Sequence, residues 1–308
     1  MHAPLVSVVL CTYNGERFLR EQIDSILQQT YPNLELIISD DASTDGTKNI
    51  LETFRHHANV QLVYHQRNIG FVKNFESAVR LAKGELVAFS DQDDIFLPHK
   101  MQRLVETIGN HSLVYSDSML INEQGKELGK KLSDVRDLKS TNDSRNFFMF
   151  NAVSGHTMMV RRDLLQSALP LPEGFYHDWW IAVHAANAGG IVYLHEVLSL
   201  YRQHPKTVTK TIGNKKVPSR NLQRRYADFV HEKKWFELLL QNPQEQHKEF
   251  LKKLHKLWLT KAKGYFSWPL FLFLWQHKHV LFTFWRKNIF SQLVELRKVA
   301  RGERDVEA

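Results

Sequence analysis

The feature that most constrains the fold of this chain is a regular alternation of short apolar runs with amphipathic stretches. Four runs of strand length are rich in aliphatic and aromatic residues: Val6–Cys11, Leu34–Ser39, Val60–Tyr64 and Glu85–Ser90. The stretches between them repeat apolar residues at helical spacing. Strands that alternate with helices form parallel sheets, because each helix returns the chain to the same edge of the sheet. We therefore predict an α/β protein with a doubly wound, Rossmann-like, mostly parallel sheet.

The second half of the chain adds further strands and then changes character. After a short strand predicted at Leu113–Tyr115, the chain is predicted to be polar and irregular up to about Ser144. Beyond it we predict a helix at Asp178–Ala188 and short strands at Thr157–Val160, Ile191–Leu194 and Leu198–Tyr201. The net charge is −5 up to Pro205 and +13 from Lys206 onward. Such an asymmetry indicates a separate region with a partner of its own. We predict one domain over residues 1–205 and a basic, α-helical region over residues 206–308.

The composition excludes several classes of protein. An apolar fraction of 43% and a charged fraction of 24% are typical of a globular chain with a sizeable core. The single cysteine, Cys11, excludes an internal disulfide and a multi-cysteine zinc site. The first apolar run begins so early that no room for a signal peptide precedes it. A cytoplasmic location is therefore expected.

The strongest local signal is the acidic sequence Asp91-Gln92-Asp93-Asp94, directly after the fourth predicted strand. Ligands of parallel sheets bind beyond the carboxyl ends of the strands, which is where these carboxylates fall. Carboxylate oxygens suit Mg²⁺ or Mn²⁺, ions that also bind diphosphate oxygens. The alternative is a solvated acidic loop that caps the helix following Pro98.

Four motifs stand in order along the first part of the chain. They are Ser7–Asn14 (SVVLCTYN), Asp40–Thr47 (DDASTDGT), Asn68-Ile69-Gly70 and Phe89–Asp94 (FSDQDD). Together they resemble family 2 glycosyltransferases with the GT-A fold, and the resemblance covers residues 5 to about 205. No Gly-rich Rossmann fingerprint, Walker loop or H-E-x-x-H sequence is present to support another enzyme class. The resemblance implies a nucleotide-binding half over about 1–95 and an acceptor half over about 96–205.

The resemblance also implies roles for individual residues on the donor side. Asp40 corresponds to the aspartate that contacts the base, and Asp41 to a residue that orders the loop. Tyr13 stacks on the base or is a core tyrosine. The full nucleotide-binding set is Thr12, Tyr13, Asn14, Glu16, Asp40, Asn68, Gly70, Lys73, Asp91 and Arg202. The implied metal ligands, for Mg²⁺ or Mn²⁺, are Asp91, Asp93 and His204.

The catalytic candidate lies in the sequence His177-Asp178-Trp179-Trp180. Family 2 enzymes have an acidic pair here whose second carboxylate is the general base, so Asp178 is the implied base. Histidine at position 177 departs from that pattern. An inverting transfer needs one carboxylate to take the proton of the acceptor hydroxyl. The implied acceptor-side residues are His156, Trp179 and Trp180, where the tryptophans pack on a sugar ring or fill the core.

The basic region contains an aromatic-rich stretch, Tyr265–Trp285. Its uninterrupted apolar run is too short for a membrane span, which needs about 20 apolar residues. Aromatic residues beside lysine and arginine favour a helix pair bound to an anionic membrane surface. The alternatives are packing on the catalytic domain or on a second subunit of a homo-oligomer. Nucleic-acid binding is not favoured, because no recognised nucleic-acid module accompanies the basic residues.

These inferences combine into one functional hypothesis. The chain is expected to be a metal-dependent, inverting glycosyltransferase in bacterial surface-polysaccharide synthesis, with dTDP-rhamnose or a UDP-sugar as donor. Its acceptor is a lipid-linked glycan at the inner face of the cytoplasmic membrane. The alternative from another class is a catalytically degenerate, membrane-bound scaffold that retains the GT-A fold.

Overall fold

The structure is a computed structural model that describes residues 3–204 and 222–302. For residues 222–226 it describes the backbone alone. The chain divides into two compact units. Among the described residues, the first comprises 3–142 and 152–204, and the second comprises 143–151 and 222–302. The boundary predicted between residues 205 and 206 lies outside the described residues.

The first unit contains a nine-stranded sheet in the order β3-β2-β1-β4-β8-β6-β9-β5, with β7 paired to β6. Its strands are β1 Val6–Thr12, β2 Leu34–Asp40, β3 Val60–Tyr64, β4 Leu86–Ser90, β5 Ile95–Phe96, β6 Leu113–Ile121, β7 Glu127–Lys131, β8 Met158–Arg161 and β9 Ile191–Arg202. Its helices are α1 Leu19–Leu27, α2 Thr47–Glu52, α3 Phe71–Leu81, α4 Lys100–Ile108, α5 Leu132–Val135, α6 Arg162–Ala168 and α7 His177–Asn187.

The parallel part of the sheet follows directly from the apolar runs. Strand β1 pairs in parallel with β2 on one side and with β4 on the other. All seven residues of β1 are buried, as expected of a strand covered on both faces. Strands β6 and β9 run in the same direction as β1 to β4, so the prediction of an α/β protein with a mostly parallel sheet is confirmed.

Two local predictions in the second half are wrong. The strands predicted at Ile191–Leu194 and Leu198–Tyr201 are one strand, β9, and its pairing with β6 is irregular around Asp117. The region predicted as irregular contains most of β6 and the exposed strand β7. Strand β6 continues past the predicted Leu113–Tyr115 because it pairs with β9 as far as Ile121. The hydrogen bonds to β9 satisfy the backbone groups of β6, whatever the local sequence pattern.

The second unit is helical, as predicted for the C-terminal region. Its helices are α8 Leu222–Gln241, α9 Lys248–Trp258, α10 Trp268–Gln276, α11 Lys278–Leu281 and α12 Ile289–Val299. Residues 143–151 belong to its core, which the sequence did not indicate. The Phe147 ring lies 5.2 Å from that of Phe284, and Nε1 of Trp235 donates to the Phe148 carbonyl at 3.1 Å. No helix in the described residues is long and apolar enough to cross a bilayer.

Candidate active site

A cavity of about 710 Å³ opens where β1, β2 and β4 end. Because parallel strands place their carboxyl ends at one edge, loops distant in sequence meet there. The loop after β1 supplies Thr12, Tyr13, Asn14 and Gly15, and the turn after β4 supplies Asp91, Gln92 and Asp93. Of the predicted nucleotide-binding residues, the structure places Thr12, Tyr13, Asn14, Asn68, Gly70 and Asp91 in the lining.

Asp40 is the last residue of β2, and Asp41 follows it; the carboxylates of both hold loop residues by hydrogen bonds. Asp40 is buried and accepts hydrogen bonds from the backbone N–H and the hydroxyl of Ser43, so it orders the loop. Asp41 lines the cavity, where its carboxylate accepts from the backbone N–H groups of Ile69 at 2.7 Å and Gly70 at 2.9 Å. These hydrogen bonds fit the loop-ordering role expected of Asp41, which also lines the cavity, and the base contact expected of Asp40 stays a prediction.

The side chains of two other predicted nucleotide-binding residues, Glu16 and Lys73, make contacts outside the cavity lining. Oε2 of Glu16 accepts from the Gly46 N–H at 2.6 Å, which ties the β1 loop to the β2 loop. Nζ of Lys73 lies 2.8 Å from Oε1 of Glu173 in an exposed ion pair. Neither residue lines the cavity. Their roles in nucleotide binding stay predictions from motif position, which does not determine where a long side chain points.

Gln92 is the residue in the acidic motif whose role the sequence did not indicate. Its Oε1 accepts from Oγ1 of Thr12 at 2.6 Å and from the Tyr13 N–H at 2.9 Å. A Cβ on Gly15 would collide with the same Oε1 and with Oγ1 of Thr12, so a larger residue would disturb this approach. The amide therefore holds the loop after β1 against the turn after β4, and Gln92 itself forms part of the cavity lining.

Asp93 and His204 come together at the cavity, although 111 positions separate them in the sequence. Oδ2 of Asp93 lies 2.7 Å from Nε2 of His204, and both side chains are mostly buried. The ring of Phe18 packs beside the imidazole with a centroid distance of 5.3 Å. A carboxylate and an imidazole nitrogen at this distance are a donor pair that suits Mn²⁺ and related divalent ions.

A second group of potential ligands lies beneath the same turn. One donor atom each from Asp91, Asp94 and His156 fall within 4.8 Å of one another. Oδ2 of Asp94 is buried without a hydrogen-bond partner, 3.6 Å from Nδ1 of His156. Burial, followed by the charges of Asp93 and Asp178, raises the pKa of Asp91 to about 7. The crowded carboxylates thus favour a cation, so the residues present fit a divalent metal ion.

The fully buried Lys100 lies beside the same acidic turn. Its ammonium donates to the His156 carbonyl and to Oγ of Ser199, and it lies 3.3 Å from the centre of the Phe96 ring. Burial lowers the pKa of Lys100 well below its usual range, and the charge of Asp94 opposes that shift. The lysine therefore belongs to the support of the acidic turn. Nothing in the sequence distinguished it from a surface lysine.

Arg202 supports the same turn, and its geometry does not favour the predicted contact with phosphate. The side chain is buried, its Nε donates to the Asp93 carbonyl at 2.8 Å, and its backbone N–H donates to Oδ1 of Asp94 at 3.0 Å. Its NH2 group lies 2.6 Å from Oε2 of Glu21. Arg202 is therefore a positioning residue that fixes the backbone carrying Asp93.

Asp178, the predicted general base, lies in the first turn of α7. Its Oδ2 accepts from the Gly155 N–H at 3.1 Å, and its charge contributes to the raised pKa of Asp91. Asp178 is partly buried, and its Oδ1 atom is shielded from solvent. It does not line the cavity beside Asp91, which is consistent with a position on the acceptor side of a bound donor.

The other predicted acceptor-side residues are mostly internal. Trp180 is buried, and its Nε1 donates to the Ala168 carbonyl at 2.8 Å, so its position fits the core alternative. Trp179 is partly exposed. His156 is buried with Nε2 2.9 Å from Oγ of Ser118, and its ring stacks on Tyr201 at 4.4 Å. The geometry therefore favours a supporting position for His156 beneath the carboxylates.

Comparison with known proteins assigns the family. The model of glycosyl transferase family 2 matches residues 7–169, more than half of the chain. The chain belongs to glycosyl transferase family 2. The match includes the loops after β1, β2 and β4, but it ends before Asp178 and His204.

Individual relatives agree with this assignment. An uncharacterized glycosyltransferase from Nostoc sp. is 32% identical over 213 residues, which cover 65% of this chain and 65% of the relative. One from Haemophilus influenzae is 28% identical over 217 residues, covering 66% and 67%. The chain thus spans about two thirds of the length of these curated relatives.

Solved structures share the fold. TarS 1-349 of S. aureus in complex with UDP-GlcNAc has a TM-score of 0.61 at 18% identity, covering 96% of this chain and 82% of that one. The mannosyltransferase PcManGT from Pyrobaculum calidifontis in complex with GDP-Man and Mn²⁺ has a TM-score of 0.57 at 18% identity, covering 97% and 86%. The GT-A fold is therefore established for this chain.

Proposed function

We propose that this protein is a metal-dependent, inverting glycosyltransferase that takes a sugar from a nucleotide diphosphate. The observation that carries the proposal is that Asp91, Asp93 and His204 line one cavity, with Oδ2 of Asp93 2.7 Å from Nε2 of His204. Relatives of the fold were solved with UDP-GlcNAc and with GDP-Man and Mn²⁺, which supports a nucleotide-sugar donor and a divalent ion. Among donors, dTDP-rhamnose and UDP-sugars remain our proposal from the sequence resemblance.

The residues of this chain divide the chemistry between two sides. Asp91, Asp93 and His204 would hold Mg²⁺ or Mn²⁺, which when bound neutralises the charge of the departing nucleotide diphosphate. Asp41 and the loop after β1 would bind the nucleoside, with Tyr13 exposed for stacking on the base. Asp178 would accept the proton of the attacking hydroxyl through its Oδ atoms.

The proposed acceptor is a lipid-linked glycan of a bacterial surface polysaccharide, reached at the inner face of the cytoplasmic membrane. A lipid-linked acceptor confines the reaction to the membrane surface, so the enzyme must work beside it. The basic C-terminal region, with a net charge of +13, supports this location because the cytoplasmic leaflet is anionic.

Donor binding tests the proposal before any acceptor is known. A panel of nucleotide sugars is screened for thermal stabilisation with Mn²⁺ and with EDTA. A ligand at one hundred times its dissociation constant stabilises the native state by about 2.7 kcal/mol. Asp93→Asn should abolish the Mn²⁺-dependent part while the protein stays folded, whereas Glu127→Gln, an exposed substitution on β7, should leave it unchanged. Equal stabilisation by donor in EDTA would contradict metal dependence.

A further inference from the structure

The second unit carries an unusual outward face on α12. The exposed side chains Ile289, Phe290, Leu293 and Val294 recur along one side of the helix, and Phe290 is 78% exposed. The opposite side is covered, since Leu296 is fully buried. An apolar stripe on the solvent side of an amphipathic helix marks a contact surface, because a chain that stays free in water keeps such residues inside.

Helix α10 presents a similar face and packs against α12. Trp268 and Leu272, one helical turn apart, are 65% and 60% exposed. The end of α12 joins the start of α10, because the Ser267 N–H donates to the Ala300 carbonyl at 2.9 Å. We call the exposed apolar side chains of α10 and α12 the apolar face.

Basic residues surround the apolar face on α12. The exposed residues from 286 to 301 include Arg286, Lys287, Arg297, Lys298 and Arg301, and none of the exposed residues in this stretch is acidic. The one acidic residue of α12, Glu295, is partly buried and lies 3.1 Å from Lys298 and 3.6 Å from Lys287. The surface is therefore apolar in the middle and cationic at both ends of the helix.

This combination selects among possible partners. A second copy of the chain in a two-fold dimer would bring the same face against itself, so the cationic ends would meet like charge. A nucleic acid would match the charge but not the exposed aromatic and aliphatic side chains. An anionic bilayer surface matches both, because its headgroups attract the basic residues and its acyl boundary accepts the apolar ones.

We propose that the apolar face of α10 and α12 is the membrane-docking surface of this protein, with Phe290, Leu293 and Trp268 inserted at the level of the lipid headgroups. The inference names the partner surface of the membrane location proposed above, and it rests on that part of the proposed function. Its test uses binding alone, so its failure and the failure of sugar transfer are separate results.

The test measures binding of the full-length protein to phosphatidylcholine vesicles with and without phosphatidylglycerol. We expect binding only to the anionic vesicles, with an affinity that falls as salt rises from 0.1 to 1 M, since the Debye length shortens from about 10 Å to about 3 Å. Phe290→Ser/Leu293→Ser should lower the affinity at least tenfold. The control Leu81→Ser/Leu128→Ser, which removes two exposed leucines of the first unit, should bind like wild type.

Charge is tested separately from apolar insertion. Arg286→Gln/Arg297→Gln should lower the affinity about tenfold or more, because each basic residue near an anionic surface contributes about fivefold, and should flatten its dependence on salt. The control Lys48→Gln/Lys83→Gln should change neither. The proposal is overturned if wild type ignores anionic vesicles, if the controls lose binding equally, or if Phe290→Ser/Leu293→Ser only dissociates a dimer. Donor-induced thermal stabilisation of each variant reports on the fold and on the nucleotide site independently.

Discussion

At the residue scale, His177 and Asp178 are neighbours in the chain with opposite surroundings. His177 is buried between phenylalanines, with its ring 4.2 Å from Phe75 and 5.3 Å from Phe89, and neither ring nitrogen has a hydrogen-bond partner. Burial lowers the pKa of His177 to about 3. The histidine is therefore neutral and packs as an aromatic ring, whereas Asp178 is partly buried and accepts a hydrogen bond from the Gly155 N–H.

The first residue-scale prediction concerns the proposed base. Asp178→Asn should lower kcat by roughly 10²–10⁴, because a general base contributes about that much to transfer rates. Donor-induced thermal stabilisation should change little, since Asp178 does not line the donor cavity. His177→Ala should be milder in kcat. A near-normal kcat for Asp178→Asn would remove this residue from the mechanism.

The second residue-scale prediction concerns acid stability. Since the pKa of His177 is lower in the folded protein than the usual 6.5, the unfolded state binds more protons at low pH. The stabilisation from a neutral His177 is complete above pH 6.5 and is lost progressively as the pH falls towards 3. At pH 5 the loss is about 2 kcal/mol. His177→Leu should flatten the decline in unfolding free energy between pH 7.5 and 5, measured by urea titration. The exposed variant His56→Leu controls for loss of a histidine, and equal flattening there would contradict the prediction.

The sequence predicted which residues lie at the site more completely than it predicted what each of them does there. The motifs correctly indicated which loops meet, because strand ends determine loop positions. They did not indicate that Asp41 lines the cavity while Asp40 is buried, because adjacent residues leave a strand in opposite directions. Gln92, Lys100 and Arg202 act through contacts with distant loops, which no local pattern encodes.

At the scale of elements, the start of α7 depends on one close approach. A Cβ on Gly155 would lie 2.9 Å from Nε2 of His177, closer than side chains tolerate. Glycine at this position lets the turn at Gly155–Thr157 sit against α7 and donate its N–H to Asp178. The turn and the helix therefore position the proposed base together.

This contact gives an element-scale prediction. Gly155→Ala should lower the unfolding free energy by about 1–3 kcal/mol, the usual effect of overpacking, and should reduce kcat by displacing α7. Adding His177→Ala should restore part of the stability, because the smaller side chain leaves room for the new methyl group. Gly264→Ala serves as the control, since a Cβ there meets nothing within 4 Å. The measurements are thermal unfolding and transfer rate, and an unchanged Gly155→Ala protein would contradict the close approach.

Elements were predictable where pattern and burial coincide. The strands β1 to β4 agree with the apolar runs to within about a residue, because the run of aliphatic and aromatic residues extends over nearly the whole strand. Strand β7 escaped prediction because all five of its residues are exposed, so it has no apolar pattern at all. Its existence depends on its partner β6, which lies beyond any local signal.

At the scale of the whole molecule, the helical unit is not an appendage of consecutive residues. Its core includes Phe147 and Phe148, which the chain supplies before it completes the first unit. The sequence indicated a helical region after residue 205 but not this insertion, because residues 143–151 have no helical periodicity linking them to it.

The fourth prediction follows from that shared core. Phe284→Ala should lower the unfolding free energy by about 3–5 kcal/mol, since Phe284 is buried against Phe147. Phe290→Ala, an exposed substitution in the same unit, should change it by no more than about 0.5 kcal/mol. Both are measured by denaturant unfolding monitored by tryptophan fluorescence. Deletion of residues 265–308 should produce insoluble protein for the same reason, and a soluble, cooperatively folding truncation would argue against the shared core.

The insertion of residues 143–151 also determines an order of events on the ribosome. Phe147 leaves the exit tunnel more than a hundred residues before Phe284, its partner in the finished core. At about 5–20 residues per second, the nascent chain displays Phe147 and Phe148 for on the order of ten seconds before Phe284 is made. A chaperone that binds exposed aromatic segments during synthesis should therefore engage this stretch, and it should be released only when the last helices have been translated.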